Sequence, residues 1–193
     1  MRFVVGLGNP GERYRRTRHN AGFLALDVLA ARARAAARLE ADAWLAEASL
    51  GGERVLLVKP LSFMNRSGEP LVRLLSESGG SPADLVVVVD DVALELGTVR
   101  VRARGSDGGH NGLRSVADAL GTTDFARVRI GVRDAGTPIE QLPLDLAAYV
   151  LSDFPEPDAA AVEAALALAA DAVVCLLRDG TEAAMNDFNG RHA

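Results

Sequence analysis

The chain has 193 residues, of which 49% are hydrophobic and 24% charged, which is enough for one sizeable core but short for two domains. Its net charge of −5 argues against a protein that grips nucleic acid over its whole surface, although local arginine clusters could still form a basic face. Cys175 is the only cysteine, which excludes a disulfide within the chain and makes a cysteine-based metal site implausible. Uninterrupted apolar runs stay far below the roughly 18 residues of a membrane span, and strand-like sequence takes the place of a signal peptide. We therefore expect a cytoplasmic protein with no membrane partner.

The first predicted element is a short buried strand over residues 3–8, which ends in a glycine-rich turn that contains Asn9. The pattern G-x-G-x-x-G of dinucleotide-binding proteins is satisfied by Gly6, Gly8 and Gly11. That motif requires a helix to begin at once, so that backbone N–H groups face the pyrophosphate. Here Pro10 has no N–H, Glu12 adds negative charge, and polar sequence continues to Asn20. A dinucleotide site is therefore only a weak alternative.

A polar loop then meets the first predicted helix, which covers about residues 21–39. His19 lies at this junction, and Asn20 can cap the helix. A histidine ring against the positive end of a helix dipole is favoured in its neutral form, which can accept a proton. This stretch alone leaves two interpretations open, a catalytic base and a histidine that merely caps the helix.

Residues 43–50 and 53–58 predict a pair of strands joined at two glycines. Asn65 follows the second strand, and a helix is predicted over residues 70–78. Taken alone, Asn65 is more typical of a turn or cap residue than of a functional one.

The clearest strand is the continuous β-branched run of residues 85–89, which is typical of a strand buried on both faces of a parallel sheet. It leads directly into Asp90 and Asp91. Ligands of open α/β sheets bind outside the carboxyl ends of the strands, so Asp90 is well placed for chemistry. Asp91 is equally well explained as a turn residue.

Residues 97–104 alternate so that three arginines share one face of a strand, a pattern that usually marks a solvated face. A glycine-rich loop at residues 105–109 leads to His110, which opens a predicted helix over residues 113–120. Residues 126–132 predict another alternating strand.

The last third of the chain begins with a loop at residues 134–144 and a weakly apolar segment at 147–154 that could cover a cleft. Two scaffold helices follow, over residues 158–178 and 181–188. The elements together predict one α/β domain over residues 1–193, built on a twisted, mixed, mostly parallel sheet flanked by helices.

The candidate functional side chains stand at strand ends or helix starts, which a twisted sheet could bring to one edge. They are Asn9, Asn65, Asp90, His19, His110 and Asn111. There is no G-x-S-x-G elbow, no cysteine in a reactive setting and no P-loop. The set suits a hydrolase in which His19 takes a proton from water, Asp90 holds the imidazole tautomer, and asparagine amides bind the developing oxyanion.

Two further alternatives remain beside the dinucleotide site. A metal centre could be built from His19, His110, Asp90 and Asp91, but no close-spaced ligand motif supports it. A module that binds RNA without catalysing a reaction is the second, and the combination of His19, Asp90 and Asn9 argues against it.

Five motifs stand in order along the chain: residues 5–11 (VGLGNPG), Tyr14 with residues 17–22 (TRHNAG), residues 63–68 (FMNRSG), Asp90-Asp91, and residues 108–112 (GGHNG). Together they closely resemble bacterial peptidyl-tRNA hydrolases in order and spacing. The resemblance extends to residues 149–154 and 185–189 and so covers essentially the whole chain.

The resemblance implies a monomeric α/β enzyme that needs neither cofactor nor metal. Such an enzyme cleaves the ester between a peptide and the 3′ ribose of tRNA, so its partner is the acceptor stem and 3′ end of peptidyl-tRNA. This activity recycles tRNA from abandoned translation products.

The resemblance also assigns roles residue by residue. His19 is the catalytic base, Asp90 is its partner, and the ester and the attacking water are held by Asn9, Asn65 and Asn111. The cleft is lined by Tyr14, Phe63, Met64 and His110. The basic positions that match tRNA-contacting sites are Arg102 and Arg129, with Arg100, Arg104 and Arg133 nearby. Two positions depart from the usual family pattern, Val89 in place of histidine and Ala93 in place of an acid.

Overall fold

The computed structural model describes residues 1–193 as a seven-stranded mixed sheet with helices on both faces. The strands are β1 (Arg2–Gly6), β2 (Ala37–Glu40), β3 (Ala43–Leu50), β4 (Glu53–Pro60), β5 (Leu85–Glu95), β6 (Val99–Arg102) and β7 (Ala126–Arg133). The helices are α1 (Ala21–Ala33), α2 (Gly68–Ser78), α3 (Asn111–Leu120), α4 (Leu146–Val150), α5 (Ala159–Asp179) and α6 (Thr181–Phe188).

The order of strands across the sheet is β2-β3-β4-β1-β5-β7-β6. The four strands β4, β1, β5 and β7 are parallel and form the centre, whereas β2 and β3 on one side and β6 on the other add antiparallel edges. The predicted α/β class and mixed sheet are confirmed. The carboxyl ends of the four parallel strands meet at one edge, which is where ligands of such sheets bind.

Alternation along the central strands divides the core into two layers. Val4 and Val88 point into the larger layer, which is closed by α1, α5 and α6. Val5 and Val87 point into the smaller layer, which is closed by α2 and α3. Both faces of β1 and β5 are therefore buried, which is why these strands are continuous apolar runs rather than alternating ones.

The start of α1 lies unusually close to the sheet, because glycines meet there. A Cβ atom on Gly6 would stand 2.4 Å from the carbonyl oxygen of Gly22, and one on Gly22 would stand 2.4 Å from that of Val88. A Cβ atom on Gly8 would stand 2.6 Å from Cγ of Phe23. Helix packing thus accounts for two of the glycines in the G-x-G-x-x-G pattern, and the helix begins well after the turn. The dinucleotide alternative loses its basis, and the close approach sets the residues before α1 against the carboxyl ends of β1 and β5.

The first helix ends earlier than the sequence predicts. It stops at Ala33, because Arg34 adopts a left-handed conformation with φ of 50° and closes the helix. The chain then pairs as β2 with β3 through Ala37–Glu40, all four of which are exposed. The alanine-rich and arginine-rich sequence favours a helix, and pairing with β3, the next strand along the chain, explains the change.

The central strand β5 continues beyond its predicted end. Asp90 and Asp91 lie within it, opposite Ile130 and Gly131 of β7, rather than in a following turn. Both side chains are buried. A strand holds a carboxylate more rigidly than a turn does, and this rigidity matters for the site described below.

Helix α5 and the turn before it, Glu156–Asp179, are long and apolar enough by length and composition to cross a membrane. Half of its most apolar window is buried inside the protein, as in the core helix of a soluble protein, so this feature is weak support for a span. The sequence predicts a scaffold helix in this region, over residues 158–178.

Candidate active site

A buried pair of His19 and Asp90 lies at the carboxyl edge of the sheet. His19 belongs to a 3₁₀ turn, Arg18–Asn20, that leads directly into α1. Its Nδ1 lies 2.8 Å from Oδ1 and 3.0 Å from Oδ2 of Asp90, whose relative exposure is 2%. An ionised carboxylate only accepts hydrogen bonds, so His19 Nδ1–H is the donor. In the neutral ring this leaves Nε2 with a free lone pair, which can accept a proton.

A second imidazole holds the same carboxylate. His110 Nε2 lies 3.0 Å from Asp90 Oδ1, and its ring centroid lies 4.8 Å from that of His19. His110 is also the N-cap of α3, because its Nδ1 accepts the backbone N–H groups of Gly112 at 3.1 Å and Leu113 at 3.2 Å. A nitrogen that accepts two N–H groups carries no proton, so the Nε2–H of His110 donates to Asp90. The two rings therefore carry their protons on opposite nitrogens.

The ionisation of Asp90 is decided by two opposing effects. Burial acts most strongly and by itself raises the pKa of the carboxyl group. The charges and hydrogen bonds of His110 and His19 together outweigh it, and the net effect holds the pKa of Asp90 far below its ordinary range. The carboxylate is thus charged at neutral pH and ready to stabilise an imidazolium.

The amide of Asn9 is fixed from three directions. Its backbone N–H donates to Asn20 Oδ1 at 2.8 Å, and its backbone oxygen accepts from Asn20 Nδ2 at 3.0 Å. Its side-chain Oδ1 accepts the N–H of Met64 at 2.9 Å. The Nδ2 group therefore remains as a hydrogen-bond donor for a ligand. The predicted side-chain cap of α1 by Asn20 is wrong, since this side chain binds the turn after β1 instead.

These groups border a cavity of about 470 Å³. It brings together every candidate of the polar set and the predicted cleft residues: Asn9, Tyr14, His19, Phe63, Met64, Asn65, Asp90, His110, Asn111 and Arg129. Asn65 and Asn111 are exposed there, so their amides can meet a ligand, whereas Met64 is buried in the wall. Of the predicted site residues, Arg102 alone does not line this cavity.

One wall of the cavity comes from a segment to which the sequence assigned no chemistry. Leu146, Ala147, Val150 and Leu151, in and just after α4, line it together with Val92. The apolar character of residues 147–154 is the only sequence signal that points to them. Phe63, which is exposed, adds another apolar side chain to the lining.

A basic surface adjoins the cavity on the antiparallel pair β6 and β7. Arg100 lies opposite Arg129 in the register, and Arg102 lies opposite Arg127. Partial burial, then the positive charges of Arg100 and Arg129, lower the pKa of Arg102. Arg129 Nε approaches Asp91 Oδ2 at 3.0 Å at the edge of the cavity. The repulsion among the positive charges of Arg100, Arg102 and Arg129 is relieved when an anion binds beside them.

Arg127 takes no part in that surface, although it shares the strand face. It is buried, and its guanidinium donates to the backbone oxygens of Gly105 at 2.7 Å and Thr123 at 2.8 Å. It thus fastens the start of the glycine-rich loop to the start of β7. In this loop Gly108 and Gly109 have φ of 60° and 84°, which other residues rarely adopt.

The His19, Asp90 and His110 atoms lie within 4.8 Å of one another and resemble a metal-ligand set. The hydrogen bonds argue against that use. His110 Nδ1 already accepts two backbone N–H groups, so a metal on Nε2 would require an imidazolate with no proton at all. Metal binding would therefore have to break the cap of α3.

Comparison with known proteins places the chain in a family. A family model described as peptidyl-tRNA hydrolase matches residues 3–193. The chain is 46% identical over 191 residues to the peptidyl-tRNA hydrolase of Chloroflexus aurantiacus, covering 98% of this chain and 99% of that protein. It is likewise 46% identical over 188 residues to that of Nocardia farcinica, covering 96% and 95%. The crystal structure of peptidyl-tRNA hydrolase from Acinetobacter baumannii superposes with a TM-score of 0.87 at 29% identity, covering 100% of this chain and 96% of that one.

Proposed function

This chain belongs to the peptidyl-tRNA hydrolase family, enzymes that hydrolyse the ester bond between peptide and tRNA, and from that premise we propose how its own residues perform the reaction. The observation that carries the proposal is the buried contact of 2.8 Å between His19 Nδ1 and Asp90 Oδ1 in the wall of the cavity. It leaves one basic nitrogen, Nε2 of His19, for a proton from water.

The first step forms the bond from water to the ester carbonyl carbon. His19 Nε2 takes one proton from the attacking water as its oxygen adds to the carbon. The imidazolium that results is stabilised by the Asp90 carboxylate across the Nδ1 hydrogen bond. The second step breaks the bond to the ribose 3′ oxygen, which receives the proton back from Nε2. Peptide and tRNA leave, and the ring returns to its starting state.

The negative charge on the carbonyl oxygen needs donors that are already in place. Asn9 is suited to this role, because Met64 N–H occupies its Oδ1 and orients its Nδ2 as a donor. Asn65 and Asn111 stand at the same cavity and supply further amides for the ester and the water. His110 acts as a positioning residue that keeps Asp90 fixed and charged.

The two parts of the substrate meet different surfaces. The peptide lies against the apolar wall that includes Phe63, Met64 and Val150, with Tyr14 beside it. The acceptor stem lies along Arg102 and Arg129, whose planar guanidinium groups match phosphate oxygens. All groups in this scheme come from one chain, and every step uses protein groups and water. We accordingly propose a monomer that acts without cofactor or metal in the cytoplasm, where translation takes place.

The experiment is hydrolysis of N-acetylaminoacyl-tRNA by wild type and His19→Ala. We expect the variant to lose about 10²–10⁴ in kcat while its fold is retained. His192→Ala is the matched control, because His192 is exposed at the C-terminus and lies outside the cavity; it should have wild-type activity. Undiminished hydrolysis by His19→Ala would remove His19 from the mechanism.

A further inference from the structure

We propose that Arg18 is a positioning residue that fastens the segment 134–154, here called the flap, over the cavity beside His19. The proposal deepens the proposed function and rests on it, since it concerns the wall of the same site. It gives a task to the residue just before His19, to which the catalytic scheme assigns none.

The flap has little hold on the core of the protein, apart from Phe154 at its end, which packs against the larger core layer. Helix α4 contains no buried residue, and Leu144 just before it is fully exposed. The neighbouring short turn Ile139–Gln141 has no buried residue either. Yet α4 supplies Leu146 and Val150 to the cavity wall. Something other than core packing must therefore keep this wall in position.

Arg18 joins the two ends of the flap through a single guanidinium. Its Nη2 donates to Asp134 Oδ1 at 2.7 Å, just after β7. Its Nη1 donates to Ser152 Oγ at 2.6 Å and to the backbone oxygen of Asp153 at 2.7 Å, just after α4. Residues 134 and 152 are thus closed into a loop by one side chain, whose relative exposure is only 4%.

Aromatic contacts reinforce this clasp from within the flap. The guanidinium carbon of Arg18 lies 4.5 Å from the ring centroid of Tyr149 and 5.5 Å from that of Phe154. The hydroxyl of Tyr149 accepts the backbone N–H of Asp134 at 3.1 Å. A planar fork that both donates to several acceptors and stacks on rings is specific to arginine, so lysine can replace it only in part.

The clasp also couples the flap to the catalytic turn. The backbone N–H of Arg18 donates to the backbone oxygen of Ser152 at 3.1 Å, and Thr17 pairs with Asp153 as an isolated antiparallel β-bridge. The peptide bond after Arg18 leads directly to His19. Loosening the flap therefore displaces the apolar wall and relaxes the backbone that carries the base, and small displacements of this kind are costly in catalysis.

The test is hydrogen exchange measured by mass spectrometry on wild type and Arg18→Ala. We expect amides of residues 134–151 to exchange at least about tenfold faster in the variant, while those of β1 and β5 keep their wild-type rates. The kcat/KM for N-acetylaminoacyl-tRNA should fall by about tenfold or more, and Arg18→Lys should recover part of both losses. Arg54→Ala is the control for losing one positive charge, because this side chain is 86% exposed on β4.

Two results would overturn the proposal: unchanged exchange in the flap, or exchange that rises equally in β1, which would make Arg18 a support for the whole fold. If Arg18→Ala does not fold, Asp134→Ala combined with Ser152→Ala removes two side-chain acceptors from the flap instead, with the same expected and contradicting results. Hydrogen exchange does not depend on activity, so a negative result for Arg18 is distinct from failure of the proposed function. That failure would appear as full activity in His19→Ala.

Discussion

At the scale of single residues, Asp90 is the group on which the others depend. It accepts one hydrogen bond from each of two imidazoles that come from different parts of the chain. Because it cannot donate, it fixes both tautomers at once and leaves His19 Nε2 as the available base. An asparagine at position 90 would place an NH₂ donor against at least one of these ring N–H groups.

The low pKa of Asp90 makes a prediction about stability. A carboxyl group whose pKa is lower in the folded protein than in the unfolded chain stabilises the fold above its unfolded value, about 3.9, and this stabilisation is lost as the pH falls below that value. We expect the free energy of unfolding of wild type to fall more steeply between pH 5 and pH 2 than that of Asp90→Asn. Urea unfolding at several pH values measures both slopes, and equal slopes would contradict the assignment.

Single residues also show where sequence reasoning reaches and where it stops. His19, Asp90 and Asn9 could be proposed from residue type and their places at strand and helix ends. The partnership of Asn20 with the backbone of Asn9 could not, because a helix cap and a loop anchor have the same sequence signature. The catalytic roles themselves remain predictions that the proposed variants will test.

At the scale of elements, the strand with a continuous β-branched run was predictable, whereas its far end and the edge strand β2 were not. Residues 85–89 could only be a buried strand, but its continuation through Asp90 to Glu95 depends on pairing with β7. Aspartate has a low preference for strands, so local sequence indicates a turn at that point. The same holds for β2, which forms in helix-favouring sequence because β3 offers it a partner.

The sequence located the helix starts, but not the contacts that the side chains at those starts make. The glycine-rich loop before α3 was predicted, and so was the position of His110 at its start. That this side chain serves as cap and as donor to Asp90 follows only from the three-dimensional arrangement. The alternation in β7 likewise predicted that Arg127 and Arg129 share one face of the strand. In the structure the guanidinium of Arg127 donates to backbone oxygens, whereas Arg129 borders the cavity.

At the scale of the whole molecule, the site is assembled by strand order. β4, β1, β5 and β7 stand side by side, although β4 and β5 lie far from β1 along the chain. Asn65 after β4, Asn9 after β1 and Asp90 in β5 thereby meet at one edge. Their places at strand ends suggested this gathering, but the sequence supplies only the strands and not the order that produces it.

The charge distribution leads to a prediction about tRNA binding. The chain carries a net charge of −5, so in the proposed scheme binding depends on a small basic surface that includes Arg102 and Arg129. We expect the dissociation constant for tRNA to rise steeply with salt, because each phosphate contact releases counterions. Arg102→Ala should weaken binding and reduce the log–log salt slope by about 1.

Fluorescence titrations of labelled tRNA at several salt concentrations measure this slope. Arg54→Ala serves again as the control for a lost surface charge away from the basic strand pair and should leave the slope unchanged. A slope that is the same in wild type and Arg102→Ala would show that this arginine does not contact the substrate.

The central claim is that His19 carries its proton on Nδ1 and keeps Nε2 free. Two-bond ¹H–¹⁵N correlation spectra of the imidazole rings test it directly, since the chain has only three histidines, and His192→Ala and His19→Ala assign them. At a pH where the rings are neutral, the account predicts the Nδ1–H tautomer for His19 and the Nε2–H tautomer for His110. An Nε2–H tautomer at His19 would contradict it, because the unprotonated nitrogen would then be Nδ1, which faces Asp90 and not the water.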